Sequence, residues 1–183
     1  MKYFFNFLFI ICVSCYAFSF AQDNSVIDVP YQDDNIDSWA DSLLNTLSLD
    51  EKIGQLFMVT ANGKNLNADY YSKVDSLISN YHIGGLIFFQ SGPNELKKLL
   101  NRYNNLSPIP LLTSLDAEWG LGMRLDSVQG FPWMMTLGAV QDIDLIRDFG
   151  QEVARQLKSL GIHMNFAPVI DVNNNPDNPI IDR

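Results

Sequence analysis

Four short apolar runs constrain this chain more than any other feature. Residues 56–60, 83–89, 110–115 and 162–172 read as strands, and their hydrophobicity is continuous instead of alternating. A strand with one wet face shows a period of two, whereas an unbroken apolar run is buried on both faces. Such strands belong to parallel sheets flanked by helices. The segments between the runs carry the helical period. Apolar residues recur as Trp39, Leu43, Leu44 and Leu47, then as Val74, Leu77, Ile78 and Tyr81 across 70–81. They recur again as Leu96, Leu99, Leu100 and Tyr103 across 94–106, and from Leu145 to Leu160 across 144–160. Ser48 followed by Glu51 is a capping box opening a short helix, and Gly161 is placed to end the last one.

Two architectures satisfy this alternation: a doubly wound sheet and a (β/α)₈ barrel. No glycine-rich dinucleotide fingerprint follows a strand, since Gly84-Gly85 lies inside one and has the wrong spacing. A complete barrel takes about 250 residues, and only four strands are visible in these 183.

The N-terminus reads as an export signal covering residues 1–21. Lys2 gives a positive start, an apolar stretch follows to Phe20, and Ser19-Phe20-Ala21 supplies the small residues of a cleavage site. The stretch is just short of the roughly 20 residues that span a bilayer. A lipid-anchored start at Cys15 is the alternative, although Cys12 stands where a lipobox usually has Leu. Both cysteines lie in this leader, so the processed chain has no thiol for a disulfide, a nucleophile or a metal. Residues 22–35 form a polar lead-in and 36–183 the folded part. No later segment is apolar enough to span a membrane, so no stable membrane span is expected once the signal is cleaved. The formal charge of −9 leaves no basic surface for a nucleic acid.

Polar residues gather where strands end, which is where a barrel carries its chemistry. Asp116 and Glu118 follow the third run and could accept hydrogen bonds from sugar hydroxyls. They could equally cap a helix or hold an ion pair. Arg124 could clamp a carboxylate, an amide oxygen or a hydroxyl, or be an ordinary surface arginine. Asp171 closes the fourth run, ahead of the amide- and proline-rich stretch 173–179, and its functional and structural readings balance. His82 and His163 lack metal-ligand spacing, so no metal site is expected. Trp133, Met134 and Met135 read as core or rim packing.

Taken in order, several motifs resemble the N-terminal domain of family-3 glycoside hydrolases, nearest the β-N-acetylhexosaminidase branch. They are residues 49–56 (LDEKIGQL), 83–88 (IGGLIF), Asp116-Ala117-Glu118, Phe131-Pro132, Leu137-Gly138-Ala139, 161–172 (GIHMNFAPVIDV) and 178–183 (NPIIDR). The resemblance implies the first half of a (β/α)₈ TIM-type barrel. It implies an exported enzyme, periplasmic or secreted, that removes β-linked N-acetylglucosamine from non-reducing ends, with peptidoglycan fragments as one possible source. It places Asp116, Arg124 and Arg183 around the terminal sugar, with Glu118 and Asp171 as further candidates, and it implies no cofactor. Trp119 departs from the family pattern, which has a second glycine there, so the sugar preference is open. The family's Lys-His pair, its acid/base histidine and its nucleophilic aspartate belong to the part of the domain that follows Arg183, so no catalytic residue is assigned in this chain. Retaining glycosidases set nucleophile and acid/base about 5 Å apart. The same-family alternative is a β-glucosidase or β-xylosidase, and the alternative outside catalysis is a carbohydrate-binding protein. An open half-barrel is expected to be poorly stable alone, because it exposes strand edges. The sequence does not set the oligomeric state.

Overall fold

The computed structural model describes residues 34–64 and 67–181. It divides into two compact units, Met1–Asn45 and Thr46–Arg183. The expected signal segment, and the lead-in up to residue 33, lie outside the described residues. The described part of the first unit, residues 34–45, is helical throughout and belongs to α1 (Asp34–Thr46), which carries exposed Trp39 and Leu44.

The second unit opens with α2 (Leu49–Gly54), started by the expected capping box. Glu51 N–H donates to Ser48 Oγ at 3.3 Å, and Ser48 N–H donates to Glu51 Oε2 at 2.8 Å. Two of the helix's four unpaired N-terminal donors are thereby satisfied. The chain then alternates through β1 (Met58–Ala61), α3 (Ala68–Tyr81), β2 (Gly85–Phe88), α4 (Pro93–Leu106) and β3 (Leu112–Leu115). A 3₁₀ turn (Leu121–Met123), α5 (Met134–Gly138), α6 (Ile143–Leu160) and β4 (Met164–Asn165) complete it.

The four strands form one parallel sheet in the order β1-β2-β3-β4. A doubly wound sheet reverses its strand order at a switch point, whereas a barrel adds each strand beside the last. Sequential order therefore selects half of a TIM-type barrel, as expected. Because every strand runs the same way, all four carboxyl ends lie on one edge.

The core lies where strands meet helices. Leu86, Phe88 and Leu115 are fully buried, with Val74 and Ile78 from α3, Leu96, Leu100 and Tyr103 from α4, and Val153 and Leu157 from α6. Each such aliphatic or aromatic side chain contributes about 1.5–3 kcal/mol by leaving water. Ser114 is buried with its hydroxyl donating to the Leu86 carbonyl at 3.2 Å, which satisfies a polar group inside the sheet.

All four strands are shorter than, or shifted from, their expected spans: β2 keeps only Gly85–Phe88 of 83–89 and β3 only Leu112–Leu115 of 110–115, and the first and fourth differ for identifiable reasons. The first strand starts at Met58 and not at Leu56, because the N–H groups of Leu56 and Phe57 close the turn after α2 on the carbonyls of Ile53 and Gly54, each at 3.0 Å. The fourth strand is only Met164–Asn165 and does not run to Val172. Phe166 N–H still reaches the Leu115 carbonyl at 2.9 Å, but Pro168 has no N–H to continue the ladder. Ile170 and Val172 beyond it are 91% and 73% exposed.

Candidate functional site

Asp116 is the first residue after β3, so it stands on the carboxyl edge of the sheet. The chain turns sharply four residues later at Gly120, whose φ of 82° belongs to the left-handed region that glycine occupies without strain. The 3₁₀ turn then brings Arg124 back over the strand end. Arg124 Nε–H donates to the Asp116 carbonyl at 2.9 Å, and Nη2 bonds and ion-pairs with Asp116 Oδ2. One guanidinium thus grips both the backbone and the carboxylate of one residue, in the fork geometry that arginine supplies and lysine cannot. The Arg124 and Asp116 side chains are 16% and 27% exposed, so the pair is reachable from solvent but only partly screened by it. Among the described residues, this bond pattern uses Asp116 Oδ2 and the Asp116 carbonyl and not Oδ1.

Two further elements hold Arg124 in place. Its guanidinium carbon lies 4.9 Å from the ring centroid of Phe89, the residue after β2. That is within the range of a cation–π attraction. The loop carrying Arg124 also pairs with the segment after β2. Ser91 N–H donates to the Arg124 carbonyl at 3.2 Å, and Asp126 N–H to the Ser91 carbonyl at 2.9 Å. From the other side, Asn165 of β4 clamps Ala117, accepting from its N–H at 3.0 Å and donating to its carbonyl at 3.3 Å. The Asp116 loop is therefore fixed by groups from β2, β3 and β4.

The sequence candidates fall into two groups. Asp116 and Arg124 meet as an ion pair. Glu118 and Asp171 line a pocket of about 270 Å³, with Trp119, Trp133 and the Met134-Met135 pair among its other walls. Asp171 does not sit at a strand end as expected; it lies on the exposed segment six residues past β4. Arg183 lies outside the described residues. His82 caps α3 in the left-handed conformation, and His163 precedes β4, where its Nδ1 accepts from Thr113 N–H at 3.1 Å. Among the described residues, no three His, Cys, Asp or Glu side chains come together as a metal site. Nor is any helix among them long and apolar enough to cross a membrane.

Phe89 and Asn165 were not singled out from the sequence. Phe89 reads there as one more member of an apolar run, and Asn165 as a strand residue. Only the parallel register, which sets Leu115 against Asn165, brings Asn165 beside the Asp116 loop.

The chain thus forms half of a TIM-type barrel, with an acid–arginine pair at the end of its third strand, the edge on which enzymes of this fold carry their sites. The chain belongs to glycosyl hydrolase family 3: residues 48–183 match the family described as "Glycosyl hydrolase family 3 N terminal domain". It is 34% identical over 122 residues to beta-hexosaminidase A of Pseudoalteromonas piscicida, an alignment covering 60% of this chain and 20% of that protein. It is 32% identical over 139 residues to beta-hexosaminidase LpqI of Mycobacterium tuberculosis, covering 74% and 34%. Its fold matches the solved beta-glucoside phosphorylase BglX bound to 2FGlc, with a TM-score of 0.71, 23% identity, and coverage of 82% of this chain and 26% of the other. The chain thus spans a fifth to a third of the length of these curated relatives.

Proposed function

We propose that this chain is the sugar-binding part of an exported glycoside hydrolase that releases β-linked N-acetylglucosamine from non-reducing ends with retention of configuration. The observation that carries the reading is the Asp116–Arg124 pair at the carboxyl end of β3, in a chain whose relatives include two beta-hexosaminidases. Asp116 accepts hydrogen bonds from hydroxyls of the terminal sugar through Oδ1. Arg124 fixes that carboxylate and donates to the same sugar, and Arg183 joins it. By family resemblance, the aspartate nucleophile and histidine acid/base belong to the part of the domain following residue 183, so Asp116, Glu118 and Asp171 are assigned no bond-breaking role. Export rests on the signal-like residues 1–21.

The test is turnover of chromogenic N-acetylglucosaminide and glucoside by the full-length protein. N-acetylglucosaminide is expected to be the better substrate. Turnover of the glucoside alone would move the assignment to a β-glucosidase, a reading favoured by the 26% identity to the beta-N-acetylglucosaminidase/beta-glucosidase of Cellulomonas fimi. Asp116→Asn keeps the shape and removes the charge. A charged hydrogen bond is worth about 1.5–3 kcal/mol, so kcat/KM is expected to fall about 10- to 100-fold. An unchanged value would refute the role of Asp116.

A further inference from the structure

The Phe88-Phe89 pair at the end of β2 divides between the core and the sheet edge. Phe88 is fully buried and belongs to the core cluster. Phe89 N–H donates to the Ala61 carbonyl at 3.0 Å, so the ladder with β1 runs one residue past the strand. Successive residues of a strand face opposite ways, so Phe89 presents its ring on the face away from Phe88. Phe89 is partly buried and stands outside the core cluster. Its ring instead meets the Arg124 guanidinium, whose central carbon lies over it at 4.9 Å from the centroid. Ser91 registers the two main chains: it is fully buried and bonded to the backbone of both Arg124 and Asp126. Gly63, after β1, leaves room for that serine, since a Cβ there would lie 2.2 Å from Ser91 Oγ.

We propose that Phe89 is a positioning residue for sugar binding: its ring sets the plane of the Arg124 guanidinium and so aims the nitrogen that meets the terminal sugar. The inference rests on the glycosidase reading above and adds to it a residue that acts without touching the substrate. Arg124 donates to Asp116 through Nε and Nη2. Both bonds leave from one edge of the guanidinium, so they fix that edge and leave the plane able to tilt about it. A contact on the face of the group, off that axis, stops the tilt, and the Phe89 ring supplies it. Nη1 lies farthest from the axis and takes no part in the bonds to Asp116, so its position is the one the ring decides. An aromatic face suits this task better than an aliphatic chain, because its quadrupole attracts a cation while the ring fills space. The Arg124 side chain is only 16% exposed, so water screens that attraction weakly.

The test is a double-mutant cycle in the full-length protein, read as kcat/KM for the better of the two chromogenic glycosides. Phe89→Leu keeps an apolar group at this partly buried position and is expected to lower kcat/KM about fivefold, the size of one cation–π contact. Phe89→Tyr keeps the aromatic face and is expected to stay within about twofold of the wild type. Arg124→Gln removes the cation, and in that background Phe89→Leu is expected to cost less than about twofold. An equal loss from Phe89→Leu in both backgrounds, or a Phe89→Tyr variant as impaired as Phe89→Leu, shows that the ring acts by packing alone and overturns the proposal. If the wild type hydrolyses neither glycoside, the glycosidase reading fails by itself. The ring is then judged by the Arg124 Nε–H resonance in protein labelled with ¹⁵N at arginine, identified by its loss in Arg124→Gln. A resonance that moves in Phe89→Leu and returns in Phe89→Tyr sustains the positioning role, and one that stays in place overturns it.

Discussion

At the scale of single residues, the Asp116 loop is built around two positions that tolerate little change. Gly120 holds a φ of 82°, and a Cβ there would stand 2.8 Å from Phe131 Cδ2. Gly120→Ala therefore incurs both backbone strain and a clash with a ring that is itself packed edge-on against Phe149, with centroids 5.1 Å apart. Strain of this kind costs about 1–3 kcal/mol. Denaturant unfolding is expected to show a loss of that size, and a loss below 0.5 kcal/mol would show the loop to be plastic. Asn165 is the second position. Asn165→Ala strips both partners from the Ala117 peptide, and an unsatisfied polar group costs about 1–3 kcal/mol. Because Ala117 adjoins Asp116, KM for the N-acetylglucosaminide is expected to rise as well. Asn165→Asp keeps only the acceptor while N–H···O is restored at Ala117, so it should recover part of the loss; no recovery would mean that the side chain acts by packing alone.

At the scale of elements, most of the sheet and its helices were legible in the sequence, because burial on both faces and a 3.6-residue period are local signals. The capping box at Ser48 and the glycine ending α6 at Gly161 were legible for the same reason: each is a short-range solution to unpaired backbone groups. The lost length of β4 was not, because residues 162–172 are apolar enough for a strand and only the ladder shows that Pro168 interrupts it. The ion pair on α6 gives this scale its own prediction. Glu152 is held at about 2, from an ordinary 4.5, first by its bond with Arg155 and then by the smaller effect of Gln156. A carboxylate with a depressed folded value stabilises fully above 4.5, and the contribution is lost as pH falls toward about 2. Glu51 shifts in the same direction through its bonds with Ser48. Both groups are exposed, so the effect is small and screened by salt. The slope of Tm against pH between 5 and 2.5 is expected to be shallower in Glu152→Gln than in the wild type. Parallel curves would show that the pair adds nothing.

At the scale of the whole molecule, the sheet is strong in the middle and weak on the side that carries part of the site. β2 and β3 pair along four residues and bury Leu86, Phe88 and Leu115 completely, whereas β4 adds two residues and gives way to an exposed segment. The alternation of elements left two strand orders open and the family resemblance pointed to the sequential one, but neither foretold this gradient. It depends on how many ladder bonds each strand keeps, which hydrophobicity does not encode. Local opening costs little where few apolar contacts and few internal bonds must break. Asp171 lies on that weak side, and Asp116 lies on the strong side, tied to β2 through Arg124 and to β4 through Asn165. The Asp116–Arg124 pair, proposed above to take the terminal sugar, is therefore preformed, while the segment carrying Asp171 is freer to adjust. Amide exchange reads this directly. The N–H groups of Gly85, Phe89 and Leu112, bonded across the sheet at 2.9–3.1 Å, are expected to exchange slowest, and those of residues 169–180 fastest. Uniform exchange across both sets would show that the sheet opens as one unit.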